Sequence, residues 1–223
     1  ALWENAMHEL DAEVESLVPG RSFDRPPSSA DGILADITHV LEANRALVRP
    51  EAFRAAAAAL VGARMIAVFG MGGGSTTMAD EMRYRLARLG RPVSTYHDAM
   101  LQRMVAATLG PEDVVVVFSV TGQVPEIIDG VNIAREYGAK VVAVTAIGSP
   151  VAALADILLP IQAMETDFIF KPSSSRYAMM MMIDLLATDV ALQQADRSKE
   201  LLRRIKHVLD AHRGGGNRQP LGD

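Results

Sequence analysis

The sequence predicts a doubly wound α/β domain: a five-stranded parallel sheet in the order 2-1-3-4-5, flanked by helices, with an N-terminal helical extension. Three observations carry that expectation. The runs Met65 to Phe69, Val114 to Ser119 and Val141 to Thr145 are almost continuously apolar, the pattern of strands buried on both faces. Helical segments separate them, which calls for right-handed crossovers and a parallel sheet. Glycine and proline mark nearly every junction.

Taken in order, residues 1 to about 17 have helical spacing (Leu2, Trp3, Met7, Leu10, Val14, Leu17), and Pro19-Gly20 with Pro26-Pro27-Ser28-Ser29 makes a linker no helix can cross. A second helix is expected from about Ser29 to Leu47 and an alanine-rich one from Ala52 to Val61, closed by Gly62. Met65 to Phe69 is strand one. Ser75 to Leu89 places Met78, Met82, Leu86 and Leu89 on one face, and Gly90 follows as its C′ residue. Pro92 to Tyr96 is strand two, and Asp98 caps the next helix. After the turn Gly110-Pro111-Glu112-Asp113, Val114 to Ser119 is strand three. Pro125 opens a helix that Gly138 ends, and Val141 to Thr145 is strand four. Pro150 begins a short helix, Ile157 to Ile161 is strand five, Ser173 to Gln194 is a long helix, and Ser198 to His212 is an Arg-rich one before a glycine-rich tail. The domain reading is 1–28 as N-terminal helix and linker, 29–195 as the α/β domain, and 196–223 as a basic amphipathic helix and tail.

Composition narrows the function. The chain has 223 residues, 49% hydrophobic and 22% charged, an ordinary globular balance. Cysteine is absent, which removes disulfides, thiolate ligands and a Cys nucleophile, and fits a reducing, cytoplasmic setting. A net charge of -5 argues against a whole-domain footprint for nucleic acid. The first thirty residues lack a signal-peptide pattern. The apolar stretch Ala178 to Leu192 is cut by Asp184 and Asp189, so no membrane partner is expected. The chain opens on Ala1 inside an apolar pattern, so further sequence is expected upstream.

In the 2-1-3-4-5 order the switch point lies between strands one and three, where ligands bind beyond the strands' carboxyl ends. Two loops meet there. Gly70-Met71-Gly72-Gly73-Gly74-Ser75 opens a helix, so its N–H groups and the helix dipole suit an anion. Ser119-Val120-Thr121-Gly122-Gln123-Val124 follows strand three in the same way. A dinucleotide site wants glycine or alanine where Ser75 stands and an acid at the end of strand two, where the nearest, Asp98, comes late. Hydroxyls from two loops fit the oxygens of a terminal phosphate instead, and no cofactor is expected.

At these residues the chain resembles a known family. Gly73-Gly74-Ser75 with Ala79, Ser119-Val120-Thr121-Gly122, Gly138 to Thr145 and Ser149 to Asp156 look like the SIS (sugar isomerase) phosphosugar-binding domain. Ser174-Ser175-Arg176 with Asp184 is similar to the SIS domain of RpiR-type transcriptional regulators. The resemblance implies a sugar phosphate as ligand, with Gly72, Gly73, Gly74, Ser75, Ser119, Thr121, Gly122, Gln123, Val124 and Ser175 as its binding residues. It implies a homodimer or tetramer, and DNA contact only through a helix-turn-helix domain that this sequence lacks. Where the family's second loop reads Ser-x-Ser-Gly-x-Thr, Thr121 keeps a hydroxyl and Val124 loses one; the first loop is one glycine longer than the common form.

The alternative is an aldose-ketose isomerase, which needs a base within reach of the substrate. Glu126, His97 and Glu165 are the candidates, with Glu126 first, although an acid there is also what the helix dipole favours. No catalytic residue is otherwise assigned. The five histidines (8, 39, 97, 207, 212) show no spacing that suggests a metal site. Met179 to Met182 suit adaptable packing in a core or a helix–helix interface, the latter being favoured. Arg203, Arg204, Lys206, His207 and Arg213 share their segment with Leu201, Leu202, Ile205, Val208 and Leu209, which reads as a docked amphipathic helix.

Overall fold

The computed structural model describes residues 30–164 and 173–213. The expected first helix, its linker, Glu165 and the glycine-rich tail lie outside them. Contacts divide the chain into Ala1–Asp36 and Ile37–Asp223. Of the first unit the described part is the helical start at Ala30–Asp36; the second holds the sheet.

The described elements are α1 (Ala30–Arg45), α2 (Pro50–Gly62), β1 (Ile66–Gly70), α3 (Gly73–Arg88), β2 (Val93–Tyr96), α4 (Ala99–Ala106), β3 (Val114–Ser119), α5 (Pro125–Glu136), β4 (Lys140–Ala146), α6 (Pro150–Leu154), β5 (Ile157–Ile161), α7 (Ser175–Gln193) and α8 (Ala195–His212). The five strands form one parallel sheet in the order β2-β1-β3-β4-β5. This is the expected doubly wound arrangement.

Alternation along the strands splits the core in two. Ile66, Val68, Val116, Phe118, Val142, Val144, Leu159 and Ile161 face a layer built from α2, α3 and α7, filled by Phe53, Leu60, Met82, Leu86, Met179 and Ile183. Ala67, Phe69, Val115, Val117, Val141 and Ala143 face α4, α5 and α6 through Ala106, Ile127, Val131 and Val151. At roughly 25 cal/mol per Å² of apolar surface, these two layers are the main source of the domain's stability.

Local chemistry sets the element ends. Asp98 caps α4 by accepting from the Leu101 N–H at 2.8 Å. Gly90 and Gly138 take φ of +67° and +88° just beyond α3 and α5, the left-handed turn expected after a helix. α3 starts at Gly73, two residues before the expected Ser75, so Gly73 and Gly74 form its first turn and Gly72, at φ +79°, is its N-cap. α2 likewise starts earlier, at Pro50, since proline is preorganised for a first helical position.

The methionine run splits two and two. Met179 and Met182 are buried in the core, while Met180 and Met181 line a shallow groove with Leu41, Tyr177 and Leu185. Along α8, Leu201, Leu202, Ile205 and Leu209 are half-buried and Val208 is 64% exposed, while Arg203 and Arg204 both pair with Glu200. Among the described residues, no helix is long and apolar enough to cross a membrane.

Candidate functional site

The parallel register ends β1 and β3 side by side, with Gly70 opposite Phe118, so the loops that leave them start as neighbours. Each is held in place by a glycine. A Cβ on Gly70 would collide with the Ser75 carbonyl and stand 3.0 Å from the Ala79 Cβ, so only glycine lets the first turn of α3 close onto the strand. Gly122, at φ +64°, lies against Ser149 and Thr145: a Cβ there would strike the Ser149 hydroxyl and come within 2.5 Å of Thr145 Oγ1. The Thr145 and Ser149 hydroxyls are themselves 3.5 Å apart, at the end of β4 and the cap of α6.

Between the loops lies an open cleft of about 390 Å³, lined by Met71 to Ser75, Ser119 to Thr121, Val124, Ser173 and Arg176. That is within the range of small-ligand sites. No side chain caps α3, so the N–H groups of Gly73, Gly74 and Ser75, residues that line the cleft, have no intrahelical acceptor. The 3%-exposed Ser119 hydroxyl accepts from Gly122 N–H at 3.0 Å, which leaves its proton to donate outward. The exposed Thr121 hydroxyl accepts from Gln123 N–H at 3.3 Å. Val124 is the N-cap of α5 and supplies no cap hydrogen bond. Donors thus converge from two loops and one helix terminus, an arrangement that favours a compact anion.

The expected site residues divide accordingly. Gly72, Gly73, Gly74, Ser75, Ser119, Thr121 and Val124 line the cleft; Gly122, Gln123 and Ser175 do not. Gly122 shapes the second loop from behind. Gln123 is exposed. Ser175 is fully buried, and its hydroxyl accepts from Met164 N–H at 3.3 Å, which ties α7 to the chain leaving β5.

Arg176 was not among the expected binding residues, although it adjoins the quoted Ser174-Ser175 pair. Its guanidinium lies 5.0 Å from the Tyr177 ring centroid, with an Nη2 hydrogen bond to the Tyr177 hydroxyl at 3.4 Å. The overlooked signal is electrostatic: a cation in the first turn of a helix opposes the macrodipole, so its place there asks for another reason. It is the charged side chain among the described cleft-lining residues.

Neither Glu126 nor His97 lines the cleft. Glu126 sits in the first turn of α5, half-buried. The His97 ring meets the Gly70 carbonyl through Nδ1 at 3.2 Å and Asp80 through Nε2 at 3.3 Å. Burial pushes the Asp80 carboxyl up, but the hydrogen bond from Thr95 and the nearness of His97 and Arg83 outweigh it and hold the group below its ordinary range. No cluster of three metal-binding side chains occurs among the described residues.

Comparison with known proteins identifies the family and the fold. The family described as SIS domain matches residues 59–189. The chain is 32% identical over 203 residues to the HTH-type transcriptional regulator HexR of Pseudomonas aeruginosa, covering 87% of this chain and 71% of that one. It is 37% identical over 147 residues to the bifunctional protein glk of Burkholderia orbicola, covering 64% of this chain but 22% of that one. In fold it is similar to the NanR protein of Vibrio vulnificus, solved with ManNAc-6P, with a TM-score of 0.74 and 20% identity over 80% of this chain and 67% of that one. It is also similar to the sugar isomerase domain of an RpiR transcription factor from Sphaerobacter thermophilus, with a TM-score of 0.71 and 24% identity over 78% of this chain and 96% of that one.

Proposed function

Because the chain belongs to the SIS domain family, in the branch that serves RpiR-type regulators, we propose that it is the phosphosugar-sensing part of a cytoplasmic transcriptional regulator of sugar metabolism. The observation that carries this reading is the convergence of the glycine loop, the Ser119–Thr121 loop and Arg176 on one cleft. Ser75, Ser119, Thr121 and the N–H groups of Gly73 and Gly74 hold the phosphate. Arg176 supplies charge, and Gly122, Gln123 and Ser175 support the loops around it. The sugar lies toward Ser173 and Val124.

In this reading residues 29–195 form the sensing domain, 1–28 trail a DNA-binding helix-turn-helix segment, and 196–223 hold the basic amphipathic helix, which ends at His212, and the tail. The protein works as a homodimer or tetramer, in which a bound effector favours one arrangement of protomers and so resets the attached DNA readers. That coupling requires the effector to bind two arrangements with different affinity. The chain spans 71% of HexR and 22% of the glk protein, so DNA binding belongs to the proposal for the whole protein.

The test is a thermal-shift screen of hexose, pentose and amino-sugar phosphates against the wild type, Thr121→Val and Arg176→Met. A ligand at about 100 times its Kd stabilises the native state by about 2.7 kcal/mol, or about 5 to 11 °C at the 2–4 °C per kcal/mol of a domain this size. Both substitutions should reduce that shift. Stabilisation undiminished in both would remove the assigned cleft, and turnover of a phosphosugar lost on Glu126→Gln would move the reading to an isomerase.

A further inference from the structure

His97 stands outside the cleft lining, yet its ring touches Gly70, from which the glycine loop departs. The β1–β2 ladder ends at Phe69 opposite Tyr96, and one residue further the His97 ring meets Gly70. Gly70 is where the glycine loop departs, and Met71 and Gly72, which follow it, line the cleft. The other ring nitrogen faces Asp80 in the second turn of α3, the helix whose first turn, Gly73 to Ser75, lines the cleft as well. One imidazole therefore reaches from the start of the loop to the helix that follows it.

Its two partners are both acceptors. A carbonyl oxygen has no hydrogen to give, and Asp80 takes the Thr95 hydroxyl proton on Oδ1 at 2.9 Å, as an ionised carboxylate does. Nδ1 meets the Gly70 carbonyl at hydrogen-bond distance, while Nε2 makes no hydrogen bond and lies 3.3 Å from the Asp80 carboxylate. A neutral imidazole with its N–H on Nδ1 keeps the first contact and sets an uncharged nitrogen against Asp80, whereas the imidazolium adds charge attraction there. The groups around it are few. Asp80 and Arg83 come from α3, with Arg83 Nε 3.5 Å from Asp80 Oδ1. β1 presents the Gly70 carbonyl, β2 the Thr95 hydroxyl, and the cap of α4 presents Asp98, whose carboxylate is taken up by Leu101 N–H. The ionised state of Asp80 fits the lowered pKa described above.

We propose that His97 is a positioning residue whose proton sets the glycine loop: charged, it ties Gly70 to Asp80 and holds Met71 to Ser75 in their anion-binding form; neutral, it releases one of the two links. Imidazole is the side chain that exchanges a proton within the physiological range, so anion binding in the cleft weakens as pH rises. The inference rests on the cleft being an anion site.

The experiment uses the full chain labelled with ¹⁵N, without ligand, taken across about pH 5 to 9, the span that brackets imidazole titration. The ring nitrogens of His97 and the amides of Met71 to Ser75 are followed together. Sulfate, a dianion whose charge does not change over that range, is then titrated at the acidic and alkaline ends. The expected result is loop amides that shift in step with the ring, and sulfate affinity about tenfold lower at the alkaline end, as when the competent loop falls to a tenth of the population. In His97→Gln both responses should be flat with pH, and in Asp80→Asn the amide response should shrink. Loop amides that stay still, or a pH response that survives in His97→Gln, overturn the proposal. Amides that follow the ring while sulfate binds at neither pH uphold the clamp and sink the anion-site reading instead.

Discussion

Substituting Gly122 by alanine tests how the second loop is held. At φ +64° the new residue pays the left-handed penalty, about 1 kcal/mol. Its Cβ would strike the Ser149 hydroxyl and lie within 2.5 Å of Ser149 Cβ and Thr145 Oγ1, groups fixed at the end of β4 and the cap of α6. Overpacking of that kind costs about 1 to 3 kcal/mol. The sum is about 2 to 4 kcal/mol, a fall in Tm of about 4 to 16 °C. Gly148 is the internal control: its φ is +75°, and a Cβ there meets nothing within 4 Å. Gly148→Ala should therefore show the backbone cost alone, about 1 kcal/mol. Urea unfolding of both variants, with unchanged m-values, isolates the collision. If Gly122→Ala is no more destabilising than Gly148→Ala, the packing of the loop on Thr145 and Ser149 is not what holds it.

Val124→Thr should do two things at once, because a hydroxyl at this N-cap can accept from the first turn of α5 and still donate its proton into the cleft. The cap is worth about 1 kcal/mol in Tm measurements, and a new hydrogen bond to a charged ligand about 10- to 100-fold in affinity by calorimetry with the phosphosugar found in the screen; unchanged affinity would place the phosphate away from Val124. Asn44 is fully buried, where its side chain donates to the Gln162 carbonyl at 3.1 Å and accepts from Gln162 N–H at 2.8 Å. Asn44→Leu strands both backbone groups at the exit of β5 and should cost about 2 to 4 kcal/mol in urea unfolding, more than an exposed substitution would. For Asp80 the folded-state pKa is lowered, so its stabilising contribution is complete above the ordinary carboxylate range and is lost as pH falls through the folded value. The Tm gap between wild type and Asp80→Asn should accordingly be present at neutral pH and close in acid; a gap that widens in acid would reverse the sign assigned here.

Much of the site was legible because its signals are local. Three glycines before a helix, a hydroxyl-rich loop before Pro125 and apolar runs of strand length each declare themselves within a few residues. What stayed hidden depends on residues far apart in the chain. Gly122, read as a binding residue, shapes the loop by fitting against Thr145 and Ser149. Ser175, grouped with the binding residues, is turned inward to Met164, while its neighbour Arg176 lines the cleft, because successive residues on a helix point about 100° apart and the motif does not say which faces the loops.

The order of the strands, the identity of the two loops and the family follow from sequence alone, since hydrophobic period, turn residues and short motifs are properties of neighbouring residues. Tertiary structure decided which side chains share the cleft and what the others do: that Arg176 joins the two loops, that Glu126 stands outside the lining, and that His97 bridges Gly70 and Asp80. Those outcomes turn on a few ångströms between β1, β2, α3 and α7, distances that packing fixes and no local pattern encodes.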